Sequence, residues 1–410
     1  MSTPTDTTRR SDAAVALTGG LVALLVLVSA MPPLGTAAYL AGLPMAAEDL
    51  GITTGAAQLT LTVYIIGLAL GQIVIGPLSD RFGRRRPLLV GILAFVLFSI
   101  SISFAPTLEI MLVLRLFQGI AASSGMVLGR AIVHDMVQGD RAARALNVIT
   151  AAGLIVPALA PLLGSLILAF GTWRTIFLVL AGLGAVVGVW SFLRIPETHG
   201  VRAQSGPGGP GKRPAATPNM LRFVMYTAVV SFSFMAMYSY VSSAPFVFQQ
   251  LHGFTPAGYA TTGAVLSLIM AGVGIAGSRF IGRETPFGSF TAVRAVGTGL
   301  VVLFLGAVLV LATVLLELHV AWYIAALAVA VAPVALISGS ATALAMDSSP
   351  LRGGASSAVI GFSQSVLGAM APPLVGILGV DARPMAMVFV GAALLGLIAA
   401  WVARPRAVAV

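Results

Sequence analysis

The chain has 410 residues, of which 58% are hydrophobic and only 9% are charged. Soluble domains carry about 25% charged residues, so this chain has too few polar side chains to cover a water-exposed surface. The composition excludes a soluble enzyme, a disordered chain and a nucleic-acid-binding domain, in spite of a net charge of +10. The absence of cysteine removes disulfides, thiol chemistry and cysteine-ligated metals from consideration.

Apolar stretches long enough to cross a membrane follow one another along the chain. A bilayer core about 30 Å thick needs roughly 20 mostly apolar residues per helix. On this basis the sequence predicts an all-α integral membrane protein with twelve transmembrane helices. The predicted spans are 15–40, 55–79, 87–106, 108–134, 145–170, 173–193, 222–249, 257–280, 288–315, 320–345, 354–379 and 384–403.

The first span also has features of a signal peptide, because Arg9 and Arg10 precede its apolar run. That run continues through Tyr39 and Leu40, which makes it longer than the apolar region of a cleavable signal. We therefore predict a first span that remains in the protein.

Positive charge lies mainly in alternate loops. The loops after the even-numbered spans hold the run Arg84-Arg85-Arg86 and further arginines, whereas the opposite loops hold mainly Arg174 and Arg383. Cytoplasmic loops carry the excess of Lys and Arg in membrane proteins. The charge pattern therefore predicts cytoplasmic N- and C-termini in a multi-pass membrane protein.

The longest polar stretch is 195–221, which is rich in Gly, Pro and Ser and reads as a flexible cytoplasmic linker. It separates an N-terminal six-helix bundle at 1–194 from a C-terminal six-helix bundle at 222–410. The halves share short matches at a nearly constant offset, such as Tyr39 to Pro44 with Tyr240 to Pro245. Two repeated bundles predict a substrate site between them near the middle of the membrane.

The most specific motif lies between spans two and three. Its glycines allow close helix approach and a tight turn, and Asp80 is suited to a neighbouring helix N-terminus or to an arginine. A loop that only sets topology would explain the arginines, but an Asp followed by Arg-x-Gly-Arg favours gating. The motif comprises Gly76, Asp80, Arg81, Gly83, Arg84 and Arg85.

This motif resembles the loop signature of the major facilitator superfamily. Other segments are similar to its Bcr/CflA-type drug-resistance branch, and the resemblance covers nearly the whole chain. It implies a twelve-span exporter in a bacterial cytoplasmic membrane, which carries small drugs such as amphenicols or bicyclomycin-like compounds, without a cofactor and typically driven by a proton gradient. The segments include Tyr39-Leu-x-x-Leu-Pro44, Arg115-Leu-Phe-Gln118-Gly119, Gly129-Arg130-Ala-Ile-Val133-x-Asp135, Pro196-Glu-Thr198 and Gly353-Gly-Ala-Ser-Ser357.

Arg115 is the most costly residue of the predicted spans, because it lies about 10 Å inside span four. A cation at this depth needs a partner or a watery cavity. Gln118 follows at i+3, and the resemblance implies a coupling and cargo-contacting role for Arg115 with Gln118. The alternative is an arginine that extends to the outer interface toward Glu109.

Span five contains glycines and prolines that loosen the helical hydrogen bonding and let helices approach closely. The resemblance to the superfamily's antiporter signature is partial here. The residues Gly153, Pro157, Pro161 and Gly164 are therefore consistent with a hinge for conformational exchange and equally with generic small-residue packing.

The chain departs from the branch pattern in span one, where Ala37 stands in place of the usual acidic residue. No Asp or Glu lies in the core of any predicted span. Proton coupling needs a carboxylate that titrates while alternately exposed. Either a peripheral acid such as Glu109 or Asp135 carries the proton, with Arg115 as a charge switch, or transport is not proton-driven.

Aromatic, Met and amide side chains are candidates for an adaptable cavity wall, although helix packing also explains each of them. The lack of embedded acids favours a neutral or weakly anionic, partly apolar cargo carried by a monomer. The alternative is an exporter or uncoupled facilitator of a small metabolite such as an amino acid or sugar. The scattered histidines indicate neither a metal site nor an enzyme. The candidate wall residues are Tyr39, Tyr64, Met126, Phe234, Met235, Tyr238, Tyr240 and Gln364.

Overall fold

The structure is a computed structural model that describes residues 17–198, 218–285, 288–378 and 382–404. It is helical apart from one antiparallel two-stranded hairpin, in which Arg283 pairs with Phe290. In chain order the elements are α1 (Gly19–Leu40), α2 (Leu43–Asp49), α3 (Thr54–Phe82), α4 (Arg85–Ser103), α5 (Leu108–Met136), α6 (Gly139–Leu168), α7 (Trp173–Arg194), α8 (Met220–Pro245), a π-helical turn (Phe246–Leu251), α9 (Pro256–Phe280), β1 (Arg283–Thr285), β2 (Gly288–Phe290), α10 (Ala292–Leu315), α11 (Val320–Val331), α12 (Val334–Ser348), α13 (Gly353–Leu378) and α14 (Ala382–Ala403).

In the described part of the chain, 11 segments are long and apolar enough to cross a membrane. One of them, Val320–Ser348, combines α11 and α12. The helix α6 covers the predicted fifth span with 30 residues but is not among the 11. An all-helical membrane fold is confirmed, while the count of twelve spans stays a prediction.

Several long helices begin directly after a threonine whose side chain satisfies a backbone amide of the first turn. The hydroxyl of Thr18 accepts from the Leu21 amide, and that of Thr53 accepts from the Ala56 amide. Thr255 and Thr291 do the same at α9 and α10. The first amides of a helix have no partner within it, so a threonine at this position defines where the helix begins.

Two predicted spans differ from the observed helices. The span 320–345 is broken after Val331, because Pro333 has no amide hydrogen to continue the helical ladder. The span 288–315 begins instead with the second hairpin strand, and its helix begins at Ala292. The first difference lies within a continuous apolar run, whereas the second lies where Ser289, Thr291 and Arg294 interrupt the apolar residues.

Buried side chains form two cores. One is built mainly from α1 to α7 and includes Leu24 and Phe95, and the other is built mainly from α8 to α14 and includes Phe248 and Leu300. We call these groups of helices the first bundle and the second bundle. The predicted linker lies largely at 199–217, outside the described residues.

The two bundles contact each other through a small set of helices. From the first bundle these are α3, α5 and α6, and from the second they are α9, α10, α12 and α13. These helices position the polar groups described below.

Candidate functional site

Hydrogen bonds between the bundles are concentrated at one end of the molecule. In the described part of the chain they begin near the middle of α3 and α13, at Gln72 and Gln364, and continue to the end that holds the last part of α3 and α5, the start of α6, and the facing ends of α9, α10, α12 and α13. We call this end, which also holds the α3–α4 turn with Arg84, the arginine-rich end. The bundles are therefore fastened together on one side.

Asp80 joins the bundles through the first turn of α13. Its Oδ1 accepts from the Gly354 amide at 2.9 Å, and its Oδ2 accepts from the Ala355 amide at 2.8 Å. These amides have no partner within their own helix, and the helix N-terminus attracts negative charge. Asp80 also pairs with Arg84, so it has both of the partners that the sequence suggested.

Arg84 is 2% exposed and holds two carboxylates at once. Its Nη1 lies 2.7 Å from Asp80 Oδ1, and its Nε lies 2.7 Å from Asp135 Oδ2. Burial lowers the pKa of the Arg84 guanidinium, but the bonds to Asp135 and Asp80 outweigh burial and raise this pKa above its ordinary value. Arg84 therefore stays charged and orients Asp80 toward the second bundle.

The α3–α4 turn is anchored to the first bundle by Glu197. The backbone amides of Arg84 and Arg85 donate to the two Glu197 carboxylate oxygens at 2.7 and 3.2 Å. Gly83 has a φ of 87°, a conformation that favours glycine, and an added Cβ would collide with the same carboxylate. Arg85 is fastened to α7 through the Phe192 carbonyl at 2.7 Å.

Arg81, by contrast, is exposed and lies over the Phe82 ring at 5.5 Å. Gly76 has a separate role in bringing α3 against α13. A Cβ at Gly76 would lie 2.5 Å from the Ala358 Cβ, so only a glycine lets the two helices approach this closely.

Two further carboxylates join one bundle to a helix start of the other. Asp347, on α12, accepts from the Gly139 amide at the start of α6 at 2.9 Å and lies 3.2 Å from His134 Nε2. Asp140, on α6, accepts from the Ala292 amide at the start of α10 at 2.8 Å. Together with Asp80 these contacts form three caps across the boundary, which we call the gate caps.

The sequence interpretation missed Asp347 and Asp140 as functional candidates. An acid at a helix end is usually solvated, and nothing in the local sequence shows which helix start lies opposite. The available signal was their position, because both lie one residue from a helix terminus and next to a predicted boundary loop.

Arg115 is 0% exposed and lies inside the first bundle. Its Nη1 donates to the Gly35 carbonyl at 3.1 Å and to Gln118 Oε1 at 2.7 Å, and its Nε donates to the Thr60 carbonyl at 3.3 Å. Gln118 in turn donates to the Ser99 hydroxyl at 2.7 Å. Arg115 and Gln118 thus connect α1, α3, α4 and α5.

Aromatic rings enclose the Arg115 guanidinium. Its central carbon lies 4.2 Å from the Tyr64 ring centroid, 5.2 Å from that of Tyr39 and 5.5 Å from that of Phe177. Glu109 is exposed in the first turn of α5 and forms no ion pair with Arg115 in the described chain. The alternative of an arginine that extends to the outer interface is therefore wrong.

The other candidate wall residues fall into three groups. Tyr39 and Tyr64 are 0% exposed around Arg115, so they do not line an open space in this state. Phe234 and Tyr240 are buried in the second bundle, Met126 and Met235 are partly buried, and Tyr238 is 40% exposed. Gln364 bonds across the boundary, because Arg130 Nη2 donates to its Oε1 at 3.1 Å.

The candidate hinge lies within the continuous helix α6. Gly164 allows close packing, because an added Cβ there would collide with the Ala38 carbonyl of α1. Gly153 faces open space, since nothing lies within 4 Å of an added Cβ. The side chains of Pro157 and Pro161 lie outside the described residues, so the hinge stays a prediction.

The carboxylates of the described helices all lie within three residues of a helix end. Of the two candidate proton carriers, Asp135 is bonded to Arg84, whereas Glu109 is exposed. The described residues contain no group of three or more His, Asp or Glu side chains suited to a metal ion.

Comparison with known proteins defines the family. Residues 25–372 match the family model described as Major Facilitator Superfamily. An uncharacterized MFS-type transporter, YdgK, of Bacillus subtilis is 32% identical over 92% of this chain and 94% of its own length. A chloramphenicol resistance protein of Pseudomonas aeruginosa is 32% identical over 81% of this chain and 76% of its own length.

Among solved structures, the proton:xylose symporter XylE has the same fold, with a TM-score of 0.73 over 93% of this chain and 94% of its own, at 12% identity. Its low identity restricts this likeness to the fold. The family model, the helical membrane architecture and the curated relatives agree that this is a multi-pass transporter of a bacterial cytoplasmic membrane. The chain belongs to the Major Facilitator Superfamily, as a relative of its drug-resistance transporters.

Proposed function

We propose that this chain exports small drug-like or antibiotic molecules across the cytoplasmic membrane by alternating access. The observation that carries the proposal is the fastening of two bundles at one end by the gate caps. Bundles fastened at one end are free to separate at the other. Drug-resistance relatives support a drug-like cargo.

The charge pattern of the sequence assigns the arginine-rich end to the cytoplasm. With that orientation, the gate caps join the bundles at the cytoplasmic end, as we would expect of a transporter whose cytoplasmic gate is closed. Opening toward the cytoplasm then requires the hydrogen bonds between the carboxylates and the helix amides of the gate caps to break. Water takes the place of each lost partner.

The chemistry of the gate caps suits such an exchange. A hydrogen bond to a charged group contributes about 1.5–3 kcal/mol net, because water replaces most of what is lost. Contacts of this size fasten the gate without making it permanent. The Arg84 cluster is a candidate site for coupling, because it places the carboxylates of Asp80 and Asp135 together at the boundary.

For proton coupling there is a competing hypothesis, namely transport by an uncoupled facilitator. The described helices carry no carboxylate away from their ends, which favours an uncoupled facilitator over the usual antiporter. We favour proton influx through the acids that hold Arg84, because Asp80 is buried and Asp135 is only partly exposed at the gate caps. Glu109, which is exposed and distant from the gate caps, is the weaker candidate.

The primary test is a drug-susceptibility panel in a pump-deleted host. We expect the wild-type chain to raise resistance to small uncharged antibiotics, and Asp80→Asn to abolish that gain. Asp49→Asn is the matched control, because it makes the same change at an exposed residue of α2. Unaltered susceptibility to every compound, together with amino-acid or sugar efflux, would favour the metabolite alternative.

Coupling is tested separately in inverted membrane vesicles with an imposed pH gradient. Addition of a transported drug should release protons from the vesicle lumen, and collapse of the gradient should stop drug accumulation. Transport that continues unchanged without the gradient identifies an uncoupled facilitator. In that case the acids at Arg84 act only in gating.

A further inference from the structure

A groove in the exposed surface of the second bundle lies at the arginine-rich end. Its walls are formed by the first parts of α8 and α10 and by the last part of α14, and its open volume is about 370 Å³. The start of α10 belongs to that end, because Asp140 caps the Ala292 amide there. We call it the outer groove, and its lining includes Tyr226, Val293, Gly297, Val301, Trp401 and Arg404.

The outer groove has the length and the apolar surface that suit a lipid acyl chain. Val293 and Val301 lie eight residues apart on α10, which corresponds to about 12 Å of helix. One leaflet contributes about 15 Å of hydrocarbon, half of the bilayer core. Gly297 lies between the two valines, and nothing lies within 4 Å of an added Cβ there, so a chain has room to lie against it. Trp401 is 69% exposed beside the groove, as is usual for tryptophan at a membrane interface.

Two arginines lie at the mouth of the outer groove. Arg404 lines the groove and is exposed, and Arg222, in the first turn of α8, is partly exposed. The charges of both act on the Tyr226 hydroxyl, so both guanidiniums lie near that hydroxyl. Within the described residues neither arginine forms an ion pair. The mouth is therefore a cluster of donors with positive charge and no carboxylate to neutralise it.

This chemistry selects an anionic phosphate group that is attached to an apolar chain. Guanidiniums bind phosphate oxygens through charge-assisted hydrogen bonds. Two like charges side by side repel each other, and a phosphate bound between them removes that repulsion. A zwitterionic head group adds an ammonium group, which the two arginines repel. Basic pockets between transmembrane helices bind anionic lipid head groups for the same reasons.

We propose that the outer groove is a binding site for one anionic phospholipid of the leaflet at the arginine-rich end, with its phosphate on Arg222 and Arg404 and one acyl chain on Gly297. A lipid bound in this way contacts α8, α10 and α14 at once and stabilises their packing. It also lies against Val293, which directly follows the Ala292 amide of a gate cap. The inference is independent of the proposed export function.

The test is tryptophan fluorescence of the full-length protein in vesicles that contain equal amounts of phosphatidylglycerol and phosphatidylcholine. Bromine in the acyl chains of a lipid quenches a tryptophan that the lipid contacts. Two vesicle preparations differ only in which of the two lipids carries the bromine. The chain has four tryptophans, and the reporter Trp190→Phe/Trp322→Phe keeps Trp401 together with the buried Trp173.

The matched control reporter, Trp322→Phe/Trp401→Phe, keeps Trp190 instead. Trp190 is 37% exposed and lies four residues before the end of α7, at the arginine-rich end. It therefore measures the general attraction of anionic lipids to this end of the protein. We expect brominated phosphatidylglycerol to quench Trp401 more strongly than brominated phosphatidylcholine does, and we expect a smaller preference at Trp190.

The two arginines are tested in the Trp401 reporter. Arg222→Gln and Arg404→Gln should each reduce the preference for phosphatidylglycerol about fivefold. The corresponding lysine variants keep the charge and should keep most of the preference. Arg141→Gln is the matched control, because Arg141 is an exposed arginine near the start of α6, also at the arginine-rich end. We expect it to leave the preference unchanged.

The acyl-chain position is tested by Gly297→Leu, which fills the outer groove without a change in charge. We expect a weaker preference for phosphatidylglycerol at Trp401. Gly182→Leu is the matched control, because Gly182 is an exposed glycine of α7 that also has open space around it. Equal melting temperatures of the variants show that they are folded.

Each contrary result overturns the inference or a part of it. Equal quenching of Trp401 by the two brominated lipids overturns the site, and so does a preference that survives both glutamine variants. A preference that survives Gly297→Leu overturns the placement of the acyl chain. Quenching of Trp401 by neither lipid means that another protein surface, such as a second copy of the chain, covers the groove. None of these results depends on drug export, so failure of the proposed function is recognised separately.

Discussion

Arg115 and Arg84 are both almost completely buried, at 0% and 2% exposed, but different kinds of partner surround them. Arg115 is surrounded by carbonyls, an amide and aromatic rings that all belong to the first bundle. Arg84 holds two carboxylates, one of which reaches across to α13. The comparison separates an arginine that stabilises one bundle from an arginine that fastens two.

The physical difference between the two arginines lies in which of their contacts would be lost to water if the bundles separated. The contacts of Arg115 remain inside one body, so they persist while the bundles move relative to each other. Asp80, which Arg84 orients, would lose its helix amides to water if the bundles separated at this end. We therefore predict that Arg115 mainly affects the stability of its bundle, whereas Asp80 and Arg84 affect the conformational equilibrium.

The largest expected effect is that of Arg115→Ala. The change leaves the Gly35 and Thr60 carbonyls and Gln118 without their donor and opens a cavity among the rings. We expect a loss of about 3–5 kcal/mol in stability. It is measured as a lower melting temperature of the purified protein, with Arg81→Ala as an exposed control. A wild-type melting temperature combined with abolished export would instead assign Arg115 to the cargo and break the comparison.

Asp80→Asn should act on the gate rather than on stability. The amide keeps the shape of the side chain but loses the charge toward Arg84 and α13, at a cost of about 1.5–3 kcal/mol. The population open at the arginine-rich end should rise roughly ten- to hundredfold. The chain has no cysteine, so spin labels at Phe82→Cys and Leu351→Cys report the opening without a background label.

In that measurement, the distribution of distances between the two spin labels should gain a component at longer distance in Asp80→Asn. The control Asp49→Asn should leave the distribution unchanged. A distribution identical to wild type, with a lower melting temperature, would show that Asp80 stabilises the fold as Arg115 does.

Asp347→Asn should produce a smaller shift of the same kind. The Asp347 side chain is 18% exposed, compared with 5% for Asp80, so water already competes for its bonds to Gly139 and His134. We expect about half the free-energy effect of Asp80→Asn in the same distance measurement. The double variant Asp80→Asn/Asp347→Asn tests whether the two gate caps act independently. If they do, its free-energy effect equals the sum of the two single effects, and an effect smaller than that sum indicates one cooperative gate.

The smallest effect is expected at the far end, where Asp49 bonds to Trp173 and Arg174. These bonds, first that of Trp173, lower the pKa of the Asp49 carboxyl. A lowered pKa stabilises the fold at pH values above the ordinary carboxyl pKa of about 4, and this stabilisation is lost as the pH falls through the lowered value.

Because the pair is 47% and 32% exposed, solvent screening limits the Asp49 contribution to under about 1 kcal/mol. Asp49→Asn should therefore lower the melting temperature slightly at neutral pH and not at all at acidic pH. A large decrease in the melting temperature at neutral pH would mean that the exposed pair of Asp49 and Arg174 stabilises the fold as much as the enclosed Arg115 does.

Much of the fold and part of the site follow from the sequence. The helix bounds follow from apolar length and from capping threonines such as Thr53, and the gate loop follows from the spacing of Asp80, Gly83 and Arg84. The break at Pro333 was missed because the run around it is continuously apolar. Arg130 was seen only as part of a motif, because an arginine near a helix end can also reach water.

The scarcity of charge in a chain with 9% charged residues already determined that this is a membrane protein, and that its few buried cations need special partners. Only the tertiary structure decided which partners they have. The direction of a side chain depends on how helices rotate against one another, and that rotation is decided by contacts far apart in sequence. For this reason Arg115 turns into its own bundle, Arg84 bonds Asp80 and Asp135 at the boundary, and Arg130 meets Gln364 near its middle.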